Sequence, residues 1–202
     1  MKEMWNDRYA IEEYVYGTEP NTFFKSFIDG LEPGTLLLPG EGEGRNAVYA
    51  ARLGWTVHAI DFSIEGRKKA MQLAEKHRVT IRYDIMDIHD FRPGARKYDL
   101  IGIIFLHLDP SVRGRLHRLL SPCLNPGGYL IMEAFEKKQL EHRTGGPKNF
   151  DYLYRLEDII SEFSVLKTIE SREETIILDS NLVHHGEGRV IRYIGQNIKA
   201  KV

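Results

Sequence analysis

A glycine-rich segment near residue 40 has the residue types and spacing best suited to chemistry. An apolar run at residues 36–38 leads into residues 40–44, where glycine alternates with glutamate, and a helix-like segment begins at Arg45. This pattern predicts a strand, a tight turn and a helix N-terminus. Glycine permits positive φ angles and close approach of a ligand, and a helix N-terminus offers unpaired N–H groups. The segment therefore predicts a small-molecule binding site.

The spacing of this segment allows two classes of cofactor. Residues 42–47 fit Gly-x-Gly-x-x-Ala, and Asp61 follows at nearly the distance of a ribose-binding acid, which is the dinucleotide fingerprint. Glu41 and Glu43 would repel a pyrophosphate but attract the ammonium and sulfonium of S-adenosylmethionine (SAM), which has no phosphate. Charge therefore favours SAM over a nicotinamide cofactor. The alternative, in which both glutamates point outward, remains open.

Two further acids follow predicted strands. Asp61 ends the second strand, where a carboxylate can accept hydrogen bonds from both ribose hydroxyls. Its alternative role is a helix N-cap, for which Ser63 competes. Asp87 follows the third strand and could accept from an adenine amino group, with Ile88 against the ring. The alternative for Asp87 is a solvated acidic loop.

Side chains that could bind a second substrate lie after the fourth predicted strand and before the first. His107 could act as a base or orient an acceptor, or it could only bind backbone. Aromatic residues near the N-terminus could fold over a cofactor as a lid with cation–π attraction to a sulfonium, or could only pack a helix on the sheet. These aromatic residues are Trp5, Tyr9, Tyr14 and Tyr16. The polar residues 136–149 predict a basic loop.

Length and composition limit the function classes. The 202 residues have a formal net charge of −1 and one cysteine, Cys123. This predicts a single domain over residues 1–202 that lies in the cytoplasm and binds neither nucleic acid nor membrane. We expect a monomer or a weak homodimer. No metal is expected, because the adjacent His184 and His185 diverge on a strand and lack a third ligand at standard spacing.

Strands and helices alternate along most of the chain. Strands are predicted at 35–38, 56–60, 79–83, 100–105, 129–134, 165–174 and 189–194, and the main helices at about 20–29, 45–53, 64–76, 111–120 and 156–163. Strands separated by helices predict a parallel sheet covered on both faces. The last two strands lack an intervening helix, so they should pair antiparallel. The fold class is α/β, Rossmann-like, in three layers.

The motifs resemble those of class I SAM-dependent methyltransferases. The resemblance rests on the glycine turn with Arg45-Asn46-Ala47, on Asp61-Phe62-Ser63, on residues 87–91 and 98–101, and on the Asn-Pro-Gly-Gly of residues 125–128. Within this class, further motifs resemble the branch of the tellurite-resistance protein TehB and thiopurine methyltransferase: Trp5-x-x-Arg8-Tyr9, residues 16–21, Gly44-Arg45-Asn46, residues 105–108 and residues 144–147. The resemblance covers nearly the whole chain.

The resemblance implies a seven-stranded, mostly parallel sheet in the order 3-2-1-4-5-7-6 with one antiparallel strand, and an N-terminal lid at residues 1–30. It implies SAM as cofactor and a small-molecule acceptor, with sulfur, selenium or tellurium as candidate nucleophiles. The implied cofactor-binding residues are Tyr9, Tyr16, Gly40, Glu41, Gly42, Gly44, Asn46, Asp61, Phe62, Ser63, Asp87, Ile88 and Phe105, and His107 is the candidate catalytic residue.

The chain departs from this family at one position. The family usually places an acid two residues before the first glycine of the turn, and Leu38 stands there. This puts recognition of the methionyl ammonium in question, and Glu41 or Glu43 could replace the acid. It also keeps open a SAM-binding regulator without turnover, beside the NAD(P)-dependent oxidoreductase.

Overall fold

The computed structural model describes residues 2–142, 144–178, 183 and 185–198. The strands are β1 (Thr35–Pro39), β2 (Thr56–Asp61), β3 (Arg82–Ile85), β4 (Tyr98–Ile104), β5 (Leu124–Phe135), β6 (Lys167–Leu178) and β7 (Gly186–Gln196). The α-helices are α1 (Lys2–Tyr9), α2 (Thr22–Ile28), α3 (Arg45–Arg52), α4 (Ile64–Lys76), α5 (Pro110–Leu120), α6 (Gln139–His142) and α7 (Leu156–Glu162). Short 3₁₀ turns lie at Ile88–Asp90, Ser121–Cys123 and Phe150–Tyr152.

The strands form one seven-stranded sheet in the order β3-β2-β1-β4-β5-β7-β6. The first five strands pair in parallel, and β7 runs antiparallel to both β5 and β6. The predicted order and the antiparallel last pair are confirmed. Crossovers return the chain to the same end of the sheet through α3, α4 and α5, and through a segment with a 3₁₀ turn between β3 and β4, whereas β6 reaches β7 without a helix.

The apolar run before the glycine turn is buried on both faces of the sheet. Leu36 and Leu38 pack with α2, α3 and α4 on one face, and Leu37 packs with α5 and α7 on the other. All three side chains are at most 1% exposed. This double burial explains why β1 lacks the alternation of a half-exposed strand.

Some predicted boundaries are wrong. The third strand begins at Arg82 instead of residue 79, because the Val79 N–H still donates to the Ala74 carbonyl at the end of α4. The fifth strand begins at Leu124 instead of residue 129, so residues 125–128 lie within β5, next to an irregularity in its pairing with β4. The second helix begins at Thr22, where the Asn21 side chain caps it, and not at Pro20. The loop at 136–149 contains α6.

The helices of the described chain are short, and none of them is both long and apolar enough to cross a membrane.

Candidate active site

A cavity of about 510 Å³ opens at the carboxyl ends of β1, β2 and β4, the edge at which open α/β sheets bind ligands. Its walls come from α1, the glycine turn, the ends of these strands and the segment after α6. Ten of the predicted site residues line it: Tyr9, Tyr16, Gly40, Glu41, Asn46, Asp61, Phe62, Ile88, Phe105 and His107. Gly42, Gly44, Ser63 and Asp87 are not part of its lining.

The glycine turn owes its shape to close packing as much as to ligand access. Gly42 and Gly44 have φ angles of 65° and 89°. A Cβ at Gly42 would lie 2.7 Å from the hydroxyl of Tyr9, and a Cβ at Gly44 would lie 2.5 Å from the Cβ of Ala70. These two glycines therefore let α1 and α4 approach the turn. Gly40, with a φ angle of 72°, lines the cavity beside Leu106, whose side chain a Cβ would meet at 2.7 Å.

Glu41 occupies the N-terminal end of α3. Its carboxylate accepts a hydrogen bond of 2.7 Å from the backbone N–H of Ala47, and Asn46 also donates to it. Burial raises the pKa of Glu41 to about 7, although these hydrogen bonds and the charge of Arg45 lower it. Phosphate groups commonly bind at helix N-termini, and here the carboxylate of Glu41 occupies that position.

The carboxylate of Glu43 binds other groups of the protein. Its carboxylate forms a buried ion pair of 2.8 Å with Lys69 and accepts from the backbone N–H groups of Val15 and Tyr16. The expectation that both carboxylates attract a cationic ligand is therefore not met by Glu43. The charge of Glu43 is neutralised by Lys69, and its role is to hold the N-terminal segment against α4.

Asp61 lies at the end of β2 and faces the cavity. One carboxylate oxygen accepts from the Gly42 N–H at 3.0 Å and the other from the Ser63 N–H at 2.9 Å. Burial raises the pKa of Asp61, against the lowering effect of these hydrogen bonds. Ser63 itself caps α4 by accepting from the Gly66 N–H, and its hydroxyl donates to Asn6, so it is bound away from the cavity.

The end of the cavity beyond β3 is apolar. Met86 and the buried Ile88 line it together with Phe62. The side chain of Asp87 turns outward, where it accepts from the N–H of His89 and contacts its ring at 2.7 Å. These hydrogen bonds lower the pKa of Asp87. Contact of Asp87 with an adenine amino group stays a prediction.

Leu38 is buried and makes no contribution to the cavity. Its side chain is 1% exposed and lies against Gly102, where a Cβ would come within 2.9 Å of it. Asn46, by contrast, lines the cavity and accepts from the Asn21 N–H at 2.9 Å, which ties the start of α2 to α3. Glu133 points to the interior, where Asn21 and Arg192 donate to it, so it is an ion-pair partner.

Aromatic side chains from the N-terminal segment form one wall of the cavity. Trp5 lies 5.4 Å from Tyr9 and 6.3 Å from Tyr16 between ring centroids. The guanidinium of Arg8 lies over the Trp5 ring and donates to the Tyr16 hydroxyl at 3.1 Å. Tyr14 is not in the wall, because its hydroxyl donates to the Lys69 carbonyl.

His107 lies at the opposite side of the cavity with both ring nitrogens engaged. Nδ1 is 2.9 Å from the carbonyl of Tyr152, and Nε2 accepts from the N–H of Phe135 at 3.3 Å. The carbonyl can only accept, so Nδ1 carries the proton and the imidazole is neutral. This geometry favours the alternative in which His107 only binds backbone. The role of His107 as a base stays a prediction.

Several lining residues escaped the sequence-based prediction. Arg45 stands beside the glycine turn and could have been included from that position alone. Arg8 lies within the Trp5-x-x-Arg8-Tyr9 motif and could have been included from it, whereas Met86 and Tyr152 carry no local signal, because only the fold brings them to the cavity. His184 lies outside the described residues. Within the described part of the chain, no group of three metal-ligating side chains could hold a metal ion.

Comparison with known proteins agrees with the fold and the cavity. Residues 37–128 match the family model described as a methyltransferase domain. No curated protein sequence matches the chain. Among solved structures, a protein described by the conversion of a disulfide bond into a thioacetal group during echinomycin biosynthesis has a TM-score of 0.80 at 14% identity, covering 100% of this chain and 93% of that one.

Two further structures are similar. TehB from Haemophilus influenzae has a TM-score of 0.74 at 16% identity, covering 97% of this chain and 66% of that one. The N-methyltransferase NodS from Bradyrhizobium japonicum, in complex with S-adenosylhomocysteine (SAH), has a TM-score of 0.70 at 15% identity, covering 98% of both chains. At these identities the structures establish the fold alone. The matching family model adds the activity class for the segment that it covers: residues 37–128 match a methyltransferase domain, which supports SAM-dependent methyl transfer with SAM as cofactor.

Proposed function

We propose that the protein methylates a chalcogen atom of a small molecule, with a thiolate as the preferred nucleophile and selenium or tellurium as related ones. We further propose that the protein belongs to the branch of TehB and thiopurine methyltransferase. It is supported by the similarity to TehB and to the structure whose description concerns a disulfide and a thioacetal. The observation that carries it is the state of His107.

The described cavity lining offers no free general base on the side of His107. Both nitrogens of that ring are engaged, and burial raises the pKa of Tyr9 and of Tyr16, so neither phenol ionises near neutral pH. Asp61 and Glu41 accept from backbone N–H groups at the glycine turn. A thiolate needs no base, because it arrives without a proton to lose.

The proposed cofactor half of the cavity fits SAM better than a dinucleotide. Asp61 faces the cavity from the end of β2 for a ribose, and Ile88, Met86 and Phe62 offer an apolar wall for an adenine. Glu41 fills the N-terminus of α3, so a pyrophosphate would meet a carboxylate where it needs N–H donors. We assign the methionyl ammonium to Glu41, since Leu38 cannot bind it.

When bound, SAM would supply a methyl group already activated by its sulfonium, and Asp61 and Glu41 would hold its ribose and its ammonium. The protein has to align the two reactants and keep water out, and alignment alone can contribute about 7–11 kcal/mol. The aromatic wall of Trp5, Tyr9 and Tyr16 serves both tasks in this proposal, with residues 1–30 acting as the lid.

The test is release of SAH from SAM with a panel of thiols, selenite, tellurite and small amines. We expect turnover with at least one thiol or selenium compound and none with the amines. Turnover with amines alone would overturn the assignment to a chalcogen. Tight SAM binding without turnover over a broad panel would favour a regulator instead, and binding of NADH without SAM would favour an oxidoreductase.

A further inference from the structure

In the part of the chain that the structure describes, two basic side chains in the cavity lack the carboxylate partners that shielded basic side chains elsewhere in the protein have. Away from the cavity, shielded basic side chains meet carboxylates: Lys69 meets Glu43, Arg113 meets Glu162 and Arg192 meets Glu133. Arg8 and Arg45 line the cavity, and among the described residues neither lies within ion-pair distance of a carboxylate. Shielding a charge from water without a partner is costly.

The two guanidinium groups converge on one residue. Arg8 donates to the hydroxyl of Tyr16 at 3.1 Å, and Arg45 donates to its backbone carbonyl at 3.0 Å. Both contacts are with neutral groups, so neither guanidinium has a negatively charged group of the described chain in contact with it. The charges of Glu41 and Glu133 act on Arg45 without an ion-pair contact, and Glu133 is already paired with Arg192.

The rest of the cavity cancels this positive charge only in part. Lys148 adds a third cation to the lining, from the segment after α6, and it too has no ion-pair partner among the described residues. Of the lining acids, Glu43 is neutralised by Lys69, and Glu41 and Asp61 lie at the glycine turn, where they accept from backbone N–H groups. SAM itself carries two positive charges and one negative, so with the cofactor bound the positive charges still exceed the negative charges of Glu41 and Asp61.

We propose that the methyl acceptor is an acidic small molecule whose anionic group binds between Arg8 and Arg45 beside Tyr16, with Lys148 attracting it from the opposite rim. This inference rests on the proposed function for the identity of the nucleophile. Guanidinium groups suit it, because each presents a planar fork of donors to a carboxylate or similar anion. The aromatic rings of Trp5 and Tyr16 then border the uncharged part of the acceptor.

The experiment compares mercapto acids of two to six carbons with their primary amides, which carry the same thiol without the charge. Binding to the SAH-loaded protein is measured by calorimetry for the wild type, Arg8→Met and Arg96→Met. Arg96 is an exposed arginine outside the cavity and serves as the matched control. We expect at least one acid to bind tenfold or more tightly than its amide, a preference that Arg8→Met abolishes and Arg96→Met keeps.

A further arm separates the acceptor site from the cofactor site. Arg8→Met should lower the preference for the acid by a larger factor than it lowers the affinity for SAH, which Arg8 touches only through Tyr16, and Arg8→Lys should restore part of the preference for the acid. Equal binding of acids and amides, or a loss of SAH affinity in Arg8→Met without a change in acid preference, would overturn the inference. Because binding is measured without turnover, preferential acid binding with no methyl transfer would count against the proposed function and leave this inference standing.

Discussion

The two halves of the cavity are built differently. The half at the glycine turn is held by hydrogen bonds between side chains and nearby backbone: Asp61 to Gly42 and Ser63, Glu41 to Ala47. The half at His107 is assembled from segments far apart in the chain, such as the contact of His107 with Tyr152. These contacts of the cofactor half span at most 19 residues of chain, whereas those of His107 span 28 and 45, so the acceptor half depends more on the complete fold.

We expect the largest effect from substituting Lys69, because its ion pair with Glu43 joins the glycine turn to the N-terminal wall. Lys69→Met leaves the carboxylate of Glu43 buried and unpaired, which should cost about 3–5 kcal/mol of unfolding free energy. Lys68→Met is the control, since its side chain is 65% exposed and its cost should stay below about 0.5 kcal/mol. Urea denaturation measures both. Equal, small costs would mean that the pair does not hold the two parts together.

Asp61 tests whether the cofactor half binds through side chains. Asp61→Ala removes a charged acceptor and should weaken SAM binding by about 1.5–3 kcal/mol, roughly 10–150-fold in Kd. Asp90→Ala, at an exposed acid outside the cavity, should leave the Kd unchanged. Calorimetry gives both values. An unchanged Kd in Asp61→Ala would reduce Asp61 to a structural acceptor of the turn.

Glu41 predicts a pH dependence of cofactor binding. Its pKa of about 7 lies above the usual range of a carboxyl group, so the group holds a proton at pH 5.5 and loses it as the pH rises through 7. If an ammonium meets the carboxylate, binding releases that proton, and SAH affinity should tighten roughly tenfold from pH 5.5 to 7. In Glu41→Gln this dependence should vanish. Parallel pH profiles in the two proteins would place the ammonium elsewhere.

His107 gives the smallest expected effect. With both ring nitrogens bonded to backbone, His107→Asn should lower kcat by less than about tenfold and leave its pH profile unchanged, because general-base catalysis is worth about 10²–10⁴-fold. Steady-state kinetics with the acceptor found in the panel measure this. A hundredfold loss, or a titration that disappears from the profile, would restore His107 as a base.

The fold was predictable because its signals are local. Apolar runs, glycine turns and the helix-free link between β6 and β7 are all contiguous, and they predict the sheet order once the resemblance is recognised. The error at β3 has a local cause as well: the hydrogen bond from Val79 to Ala74 extends the end of α4 and delays the strand.

Much of the site was not predictable, because contacts between distant residues decide it. Nothing in residues 40–44 indicates that Glu43 pairs with Lys69 while Glu41 turns back onto α3. Likewise, the two backbone hydrogen bonds of His107 depend on Phe135 and Tyr152, which lie 28 and 45 residues away. Charge and spacing predicted the correct class of cofactor, although only one of the two glutamates carries the argument.

The most direct test of the central claim is calorimetry of the unmodified protein with SAH and with NADH. Because Glu41 fills the helix end that a pyrophosphate would need, the account predicts that SAH binds at one site per chain and that NADH does not bind. Binding of NADH at that site, with no binding of SAH, would contradict it.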